Sequence, residues 1–242
     1  MATSKKQRAK RKPFRFLIKS FLLLWAASMV YLIVCKWVMP PVTITQLQSL
    51  VAGDGLKRDY VSSAQISSAV KLAAIASEDQ LFPEHGGFDW KAIEKSMDPA
   101  SGRRKKKRAL GAAASTISQQ TAKNIFLWQG SGWTRYVRKV PEMFYTKMIE
   151  WVWGKQRIME VYLNTIEMGR GIYGIEAAAQ TYFHKPAATL TPAESAKIVA
   201  CLPNPKVFTV VPISKRVAWR YPQILRQMNN LEGDPVVAEI IH

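Results

Sequence analysis

The feature that most constrains this chain is an apolar run near its start. From Phe21 to Met39 the sequence reads FLLLWAASMVYLIVCKWVM, with Lys36 as its one charge. As a helix the run spans about 28 Å, the thickness of a hydrocarbon core. Lys36 lies close enough to one end to snorkel, and Trp37 suits an interfacial belt. Pro40-Pro41 then stops the run. It reads as a single transmembrane anchor over 20–39. A cleaved signal peptide would need a shorter apolar core and a small-residue cleavage site, and CKWVMPP supplies neither. Lipidation of Cys35 is opposed by the bulky Val34, and a buried core helix stays open as an alternative.

The charge distribution orients this anchor. The chain carries a net +18, a balance that points to a polyanionic partner, either nucleic acid or an anionic membrane with anionic lipid substrates. Residues 1–19 hold eight cations and no acid, and the RRKKKR run at 103–108 holds six more, so the rest keeps only +4. The first run places the N-terminus in the cytoplasm by the positive-inside rule, and the remainder beyond an inner (plasma) membrane. For 103–108, contact with anionic phospholipid headgroups and a solvated loop are both available readings.

The organisation expected is a basic tail (1–19), the anchor (20–39), a connector (40–61) and one domain (62–242). Two cysteines exclude a disulfide scaffold, and their placement leaves two free thiols. Three histidines without CxxC or HExxH speak against a zinc site. The domain reads as all-α. Ser62 or Ser63 caps a helix to about Gln80, and Asp89 a short one through Met97. Ser115 starts a helix to about Trp128, and another runs from Thr134 to Trp153 over Pro141. Helical patterns follow at 155–164 and 175–183. Thr191-Pro192-Ala193-Glu194 is a capping box with Pro at the first helical position. A last helix, disturbed by Pro222, runs from Ser214 to Asn230. GRGIYG (169–174) matches a dinucleotide-binding glycine pattern, but a helical segment precedes it where a strand is required.

Four segments carry chemistry. In SEDQLFPEHGGFDW (77–90), Glu78 and Asp79 sit near a helix C-terminus, whose dipole disfavours carboxylates and raises proton affinity; that suits a general base. In STISQQTAKN (115–124), Ser115, Thr116, Gln119, Gln120, Lys123 and Asn124 share one helical arc. Amides and hydroxyls orient sugars, and Lys123 is a point charge for phosphate; a wet surface helix is the plain alternative. In RKVPE (138–142), Arg138 and Glu142 are four apart, with Lys139 as a second cation, and a surface ion pair would explain them equally. In KQRIMEVYLN (155–164), Arg157 and Glu160 alone look structural.

In order, EDxxFxxHxGxD (78–89), STISQQxxKN (115–124), RKxxE (138–142), KxRIMExYLN (155–164), GxGIYGIEAAAQTYF (169–183) and LTPAESAKIVACLPNP (190–205) resemble the family 51 peptidoglycan glycosyltransferases. The resemblance covers roughly residues 60–210. Because no penicillin-binding SxxK, SDN or KTG set follows, it is to the monofunctional, membrane-anchored branch. It implies an α-helical, lysozyme-like fold with a membrane-embedded jaw. It also implies polymerisation of lipid II into β-1,4 glycan strands with inversion. Glu78 would be the general base, and Glu142 would assist the donor side or a divalent metal. Lys123, Arg138 and Lys155 would hold the donor pyrophosphate, with Lys139 beside them. Asp79, Ser115, Thr116, Gln119, Gln120 and Asn124 would position substrate, and Arg157, Glu160 and Asn164 would frame the site. The inorganic cofactor implied is Mg2+ or Mn2+ at Asp79 and Glu142, with no organic one. The partners are lipid II, the lipid-linked glycan chain, phospholipids and other cell-wall synthesis proteins. The chain departs from the family pattern at Ala114, at His184 and at Pro141, which bears on Glu142.

Two rivals need separate tests. A glycan-cleaving, lysozyme-like enzyme would use Glu78 as an acid, but the cations Lys123, Arg138 and Lys139 favour a phosphate-bearing donor. A nucleic-acid binder would spread basic residues over a face, whereas here they sit in runs.

Overall fold

The structure, a computed structural model, describes residues 2–97, 115–130 and 132–242. The 103–108 basic run lies outside these residues. The chain forms two units, Met1–Met39 and Pro40–His242. The first is helix α1 (Ala2–Val34). Its Arg15–Val34 stretch is long and apolar enough to cross a membrane, with a mean hydropathy of 2.1 over its most apolar part. The basic segment and the apolar run as far as Val34 share this one helix, so the expected tail is continuous with it, while residues 35–39 of the expected anchor lie beyond its end.

The second unit is helical, with three short strands that the sequence does not announce. The connector is part of this unit and not a plain linker. Thr43 caps helix α2 (Ile44–Val51) through a capping box with Gln46, two orphan donors satisfied reciprocally. Strand β1 (Lys57–Arg58) follows. Ile66 is buried in an extended conformation, which separates a 3-10 turn at Ser63–Gln65 from helix α3 (Ser68–Glu78). Ser67, not Ser62, therefore caps α3, accepting from the Ala69 N–H. Next come α4 (Trp90–Met97), α5 (Ile117–Phe126), α6 (Thr134–Val152, with Pro141 inside) and α7 (Lys155–Thr165).

The GRGIYG segment is a small hairpin, β2 (Glu167–Gly169) and β3 (Ile172–Tyr173). β3 is central: it runs parallel to β1 and antiparallel to β2, pairing Lys57 with Ile172 and Glu167 with Tyr173. Gly171 makes this possible. It has φ +68°, and a Cβ there would lie 2.1 Å from the Asp54 carbonyl oxygen. The remaining helices are α8 (Ile175–Phe183), α9 (Pro192–Cys201), α10 (Lys215–Leu231) and α11 (Pro235–Ile241). The Thr191–Glu194 capping box forms as its sequence demands. Asp234 caps α11, an element missed because about two turns show little periodicity.

α3 is the core helix. Val70, Ala73, Ala74 and Ile75 are fully buried, and α3 packs against α9, α10 and α11. Small alanines let the neighbours approach closely. α5 packs against α6 and α7, over Ile117, Ile149, Ile158 and Leu163 at 0% exposure. Each such side chain contributes about 1.5–3 kcal/mol. The last residue of α3 and the first turns of α5 thereby meet at the edge of this core.

Candidate active site

Glu78 ends α3. Its Oε2 accepts from Gln120 Nε2 at 3.1 Å, and its Oε1 lies 3.4 Å from the Ser77 hydroxyl that donates to it. Burial pushes its carboxyl above the usual range, outweighing the Gln120 and Ser77 hydrogen bonds and the Arg220 cation. The direction is the one expected from the helix end, but its first cause is burial.

Asp79 has a different job. Its Oδ2 accepts the Ile117 N–H at 3.0 Å, and His85 Nε2 sits 2.9 Å from Oδ1. His85 Nδ1 accepts from the Gly87 N–H, so Nε2 carries the proton and donates to Asp79. The Gly87 carbonyl accepts from the Thr116 hydroxyl at 2.8 Å. Asp79, 7% exposed, thus clasps the start of α5 to the 82–88 loop. Gly87 is required there: its φ is +96°, and a Cβ would meet Thr146 at 2.9 Å.

The polar arc of α5 divides. Thr116, not Ser115, is the N-cap: Thr116 and Gln119 form a buried capping box through the Gln119 side-chain oxygen and the Thr116 hydroxyl. The Ser115 carbonyl accepts weakly from Gln120 Nε2. Gln120, Lys123 and Asn124 instead line a cavity of about 510 Å³. Gln120 is held in a fixed sense, because the Tyr162 hydroxyl donates to its oxygen across 3.5 Å while its amide reaches Glu78. Tyr162 is itself fully buried.

The cations also separate. Glu142, 2% exposed, pairs with Lys139 at 2.5 Å and lies 3.3 Å from Arg138 Nε. Arg138 also donates to the Trp128 carbonyl at 2.8 Å and to that of Gln129. Lys155 pairs with Glu150 at 2.7 Å, donates to the His85 carbonyl and stacks over Phe82. It ties the 82–88 loop to the start of α7. Lys123 has no hydrogen bond or ion pair among the described residues. Burial pushes its ammonium below the usual lysine range, with Arg138 and Lys139 adding to the shift and Glu142 and Glu78 opposing it. One uncommitted cation thus feels both carboxylates.

Arg157, Glu160 and Asn164 turn to the connector. Arg157 pairs with Glu160 at 2.7 Å, and Glu160 accepts the Ser63 N–H. Asn164, at 0% exposure, accepts the Val61 N–H and donates to the Val61 carbonyl, both at 2.9 Å. Together they hold residues 61–63.

The far wall of the cavity comes from Gln48, Glu167, Asn204 and Lys206. No local pattern marks these residues, since they stand up to 158 positions apart in the sequence. Lys206 pairs with Asp54 at 2.5 Å, and Arg170 joins Asp54 at 3.0 Å. For a protein-held metal the residues do not fit. Asp79 is committed to Ile117 and His85, Glu142 to two cations, and no group of three metal-ligating side chains occurs among the described residues. Both cysteines are free.

Comparison with known proteins places this geometry. The family model described as Transglycosylase matches residues 44–229, which takes in α2 and the former connector. The biosynthetic peptidoglycan transglycosylase of Escherichia coli strain ATCC 8739 (Crooks) is 53% identical over 181 residues, 75% of this chain and 72% of its own length. That of E. coli K12 (DH10B) is similar to the same extent. With the family model over most of the domain and this level of identity, the chain belongs to the transglycosylase family.

Proposed function

We propose that this chain polymerises lipid II into β-1,4 glycan strands. The 4-hydroxyl oxygen of the acceptor GlcNAc attacks the anomeric carbon of the lipid-pyrophosphate-linked chain. The new C1–O4 bond forms as the bond from C1 to the pyrophosphate oxygen breaks, with inversion. Glu78 takes the hydroxyl proton, and polyprenyl pyrophosphate leaves. One base on the attacking face suffices for such a displacement. Pyrophosphate is already a good leaving group, so cations replace a strong general acid.

The observation that carries this reading is the Gln120 amide held between the Glu78 carboxylate and the Tyr162 hydroxyl, one turn of α5 before Lys123, which lines the cavity without an internal side-chain partner. Lys123 receives the pyrophosphate, Arg138 and Lys139 reinforce it, and Glu142 holds those two cations on the donor side. Gln120 and Asn124 orient the sugars. No step is assigned to a divalent cation, because Asp79 and Glu142 are both engaged by protein groups. The chain works as a single-pass protein with its N-terminus in the cytoplasm and its domain on the other side of the inner membrane.

The test is purified full chain on lipid II and on finished sacculi. Polymer from lipid II, lost in Glu78→Gln, is expected. Soluble muropeptides from sacculi without polymer would replace the reading with the hydrolytic one.

A further inference from the structure

Helix α2 is turned inside out. Its buried residues are polar, namely Thr45, Gln46 and Ser49. Its apolar residues Ile44, Leu47, Leu50 and Val51 face outward, from 40% exposed at Ile44 to 91% at Val51. At about 100° per residue the four apolar positions fall within an arc of about 120°, and the buried polar three lie opposite. The inverted orientation is locked. The Ser49 hydroxyl donates to the Gly55 carbonyl at 3.0 Å, the Thr45 carbonyl accepts from Tyr173 at 3.1 Å, and Gln46 meets Tyr60 and Arg58. Thr45, Gln48 and Ser49 also wall the cavity that Lys123 lines. Rotating α2 to hide its apolar face would break all of these.

The chain itself says what covers that face. α2 starts five residues after Met39, where the apolar run ends. Five extended residues reach at most about 18 Å, and the stretch from Val34, where α1 ends, to Met39 is itself apolar but for Lys36, so an anchored chain holds α2 near the membrane surface. The neighbouring groups suit that level. Lys57 and Arg58 are exposed, Arg58 donates to the Pro41 carbonyl just before α2, and its guanidinium stacks 5.2 Å from the Tyr60 ring. Cations beside an amphipathic aromatic ring match headgroup depth. An apolar face with polar residues behind it is the pattern of a helix lying in the interface plane.

We propose that α2 is an interfacial helix, with Ile44, Leu47, Leu50 and Val51 inserted at the headgroup–acyl boundary of the bilayer that α1 enters. Its opposite face then holds the cavity wall at the depth where a lipid-linked sugar presents its first phosphate. This rests on the membrane-anchored reading above and not on the role of Glu78.

The experiment uses the full chain in phosphatidylcholine–phosphatidylglycerol vesicles, with nitroxide labels on Leu47→Cys, Leu50→Cys and Val51→Cys and a control on Asn229→Cys. Cys35 and Cys201 are buried and leave these as the reactive thiols. Labels at 47, 50 and 51 are expected to be reached by oxygen and shielded from a water-soluble nickel chelate, at about 5–10 Å below the phosphates. The label at 229 should behave as in water. Nickel access at all three α2 positions would overturn the proposal, as would broadening between copies that shows a second chain covering the face. In a second measurement, Leu47→Asp with Leu50→Asp should raise KM for lipid II presented in vesicles and leave turnover in detergent unchanged. Equal KM in vesicles would overturn the proposal. A wild-type chain that forms no polymer in detergent would sink the polymerase reading while leaving the depth result standing.

Discussion

The side-chain amide of Gln120 donates to the carboxylate of Glu78 across 3.1 Å, joining α5 to the end of α3. Behind it the buried Tyr162 hydroxyl donates to the Gln120 oxygen. The amide therefore has one useful orientation, with its N–H groups toward the base. This hydrogen bond favours the ionised form of Glu78, while burial disfavours it more. The base is left accepting a proton more readily than a free glutamate while still able to ionise.

The pH profile follows from two opposite shifts. Glu78 is pushed up, so activity should rise with pH through a limb above the ordinary glutamate range. Lys123 is pushed down, so activity should fall at alkaline pH earlier than for an ordinary lysine. Gln120→Ala removes a bond to the charged base and should move the acid limb further up. Lys123→Arg keeps its proton throughout and should remove the alkaline fall. kcat/KM on lipid II across pH measures both, and an unmoved acid limb in Gln120→Ala would refute the contact's role.

Lys123→Met should lower kcat/KM on the order of 10²–10³-fold, the usual cost of losing one charge-stabilising group. Because Lys123 has no internal partner, its melting temperature should not fall. Activity within a few-fold of wild type would shift the pyrophosphate to other cations.

Glu78→Gln should stabilise the fold as it abolishes polymerisation. The native carboxyl holds its proton more tightly than the unfolded one, so keeping it ionised costs stability once pH passes the unfolded value near 4.5. The gain in melting temperature should therefore appear at neutral pH and vanish at lower pH. Calorimetry at two pH values checks it.

Glu142→Gln should lose both activity and stability. Arg138 is 8% exposed, and breaking a buried pair costs about 3–5 kcal/mol. For a domain of this size that lowers the melting temperature by roughly 6 °C or more. An inactive but fully stable variant would show that Glu142 acts only on substrate.

Asn164→Ala should separate holding from catalysis. It leaves the Val61 N–H and carbonyl without partners, at about 1–3 kcal/mol each for a buried group. A lower melting temperature with near-normal kcat below it is expected. A large loss of kcat at unchanged stability would return Asn164 to the substrate.

The sequence by itself determined a good deal. A nineteen-residue apolar run with one charge fixes a helix long and apolar enough to cross a membrane, because length and hydropathy are local properties. The Thr191–Glu194 capping box and the helical pattern over Pro141 formed where their residues placed them, since both depend on neighbours within one turn. The resemblance carried by the ordered motifs agrees with the family match. The sequence could not divide the polar residues into those that hold the fold and those that face substrate. Asp79, Lys155 and Asn164 have the same chemistry as Gln120 and Lys123. Only the tertiary structure separates them by partner, giving the first three partners up to 103 residues away and leaving the Lys123 ammonium without one. The same is true of α2, whose polar residues turned inward because Tyr173, Gly55 and Tyr60 met them there. A hydrogen bond consumed across the fold is invisible to spacing along the chain, and it separates a latch from a site.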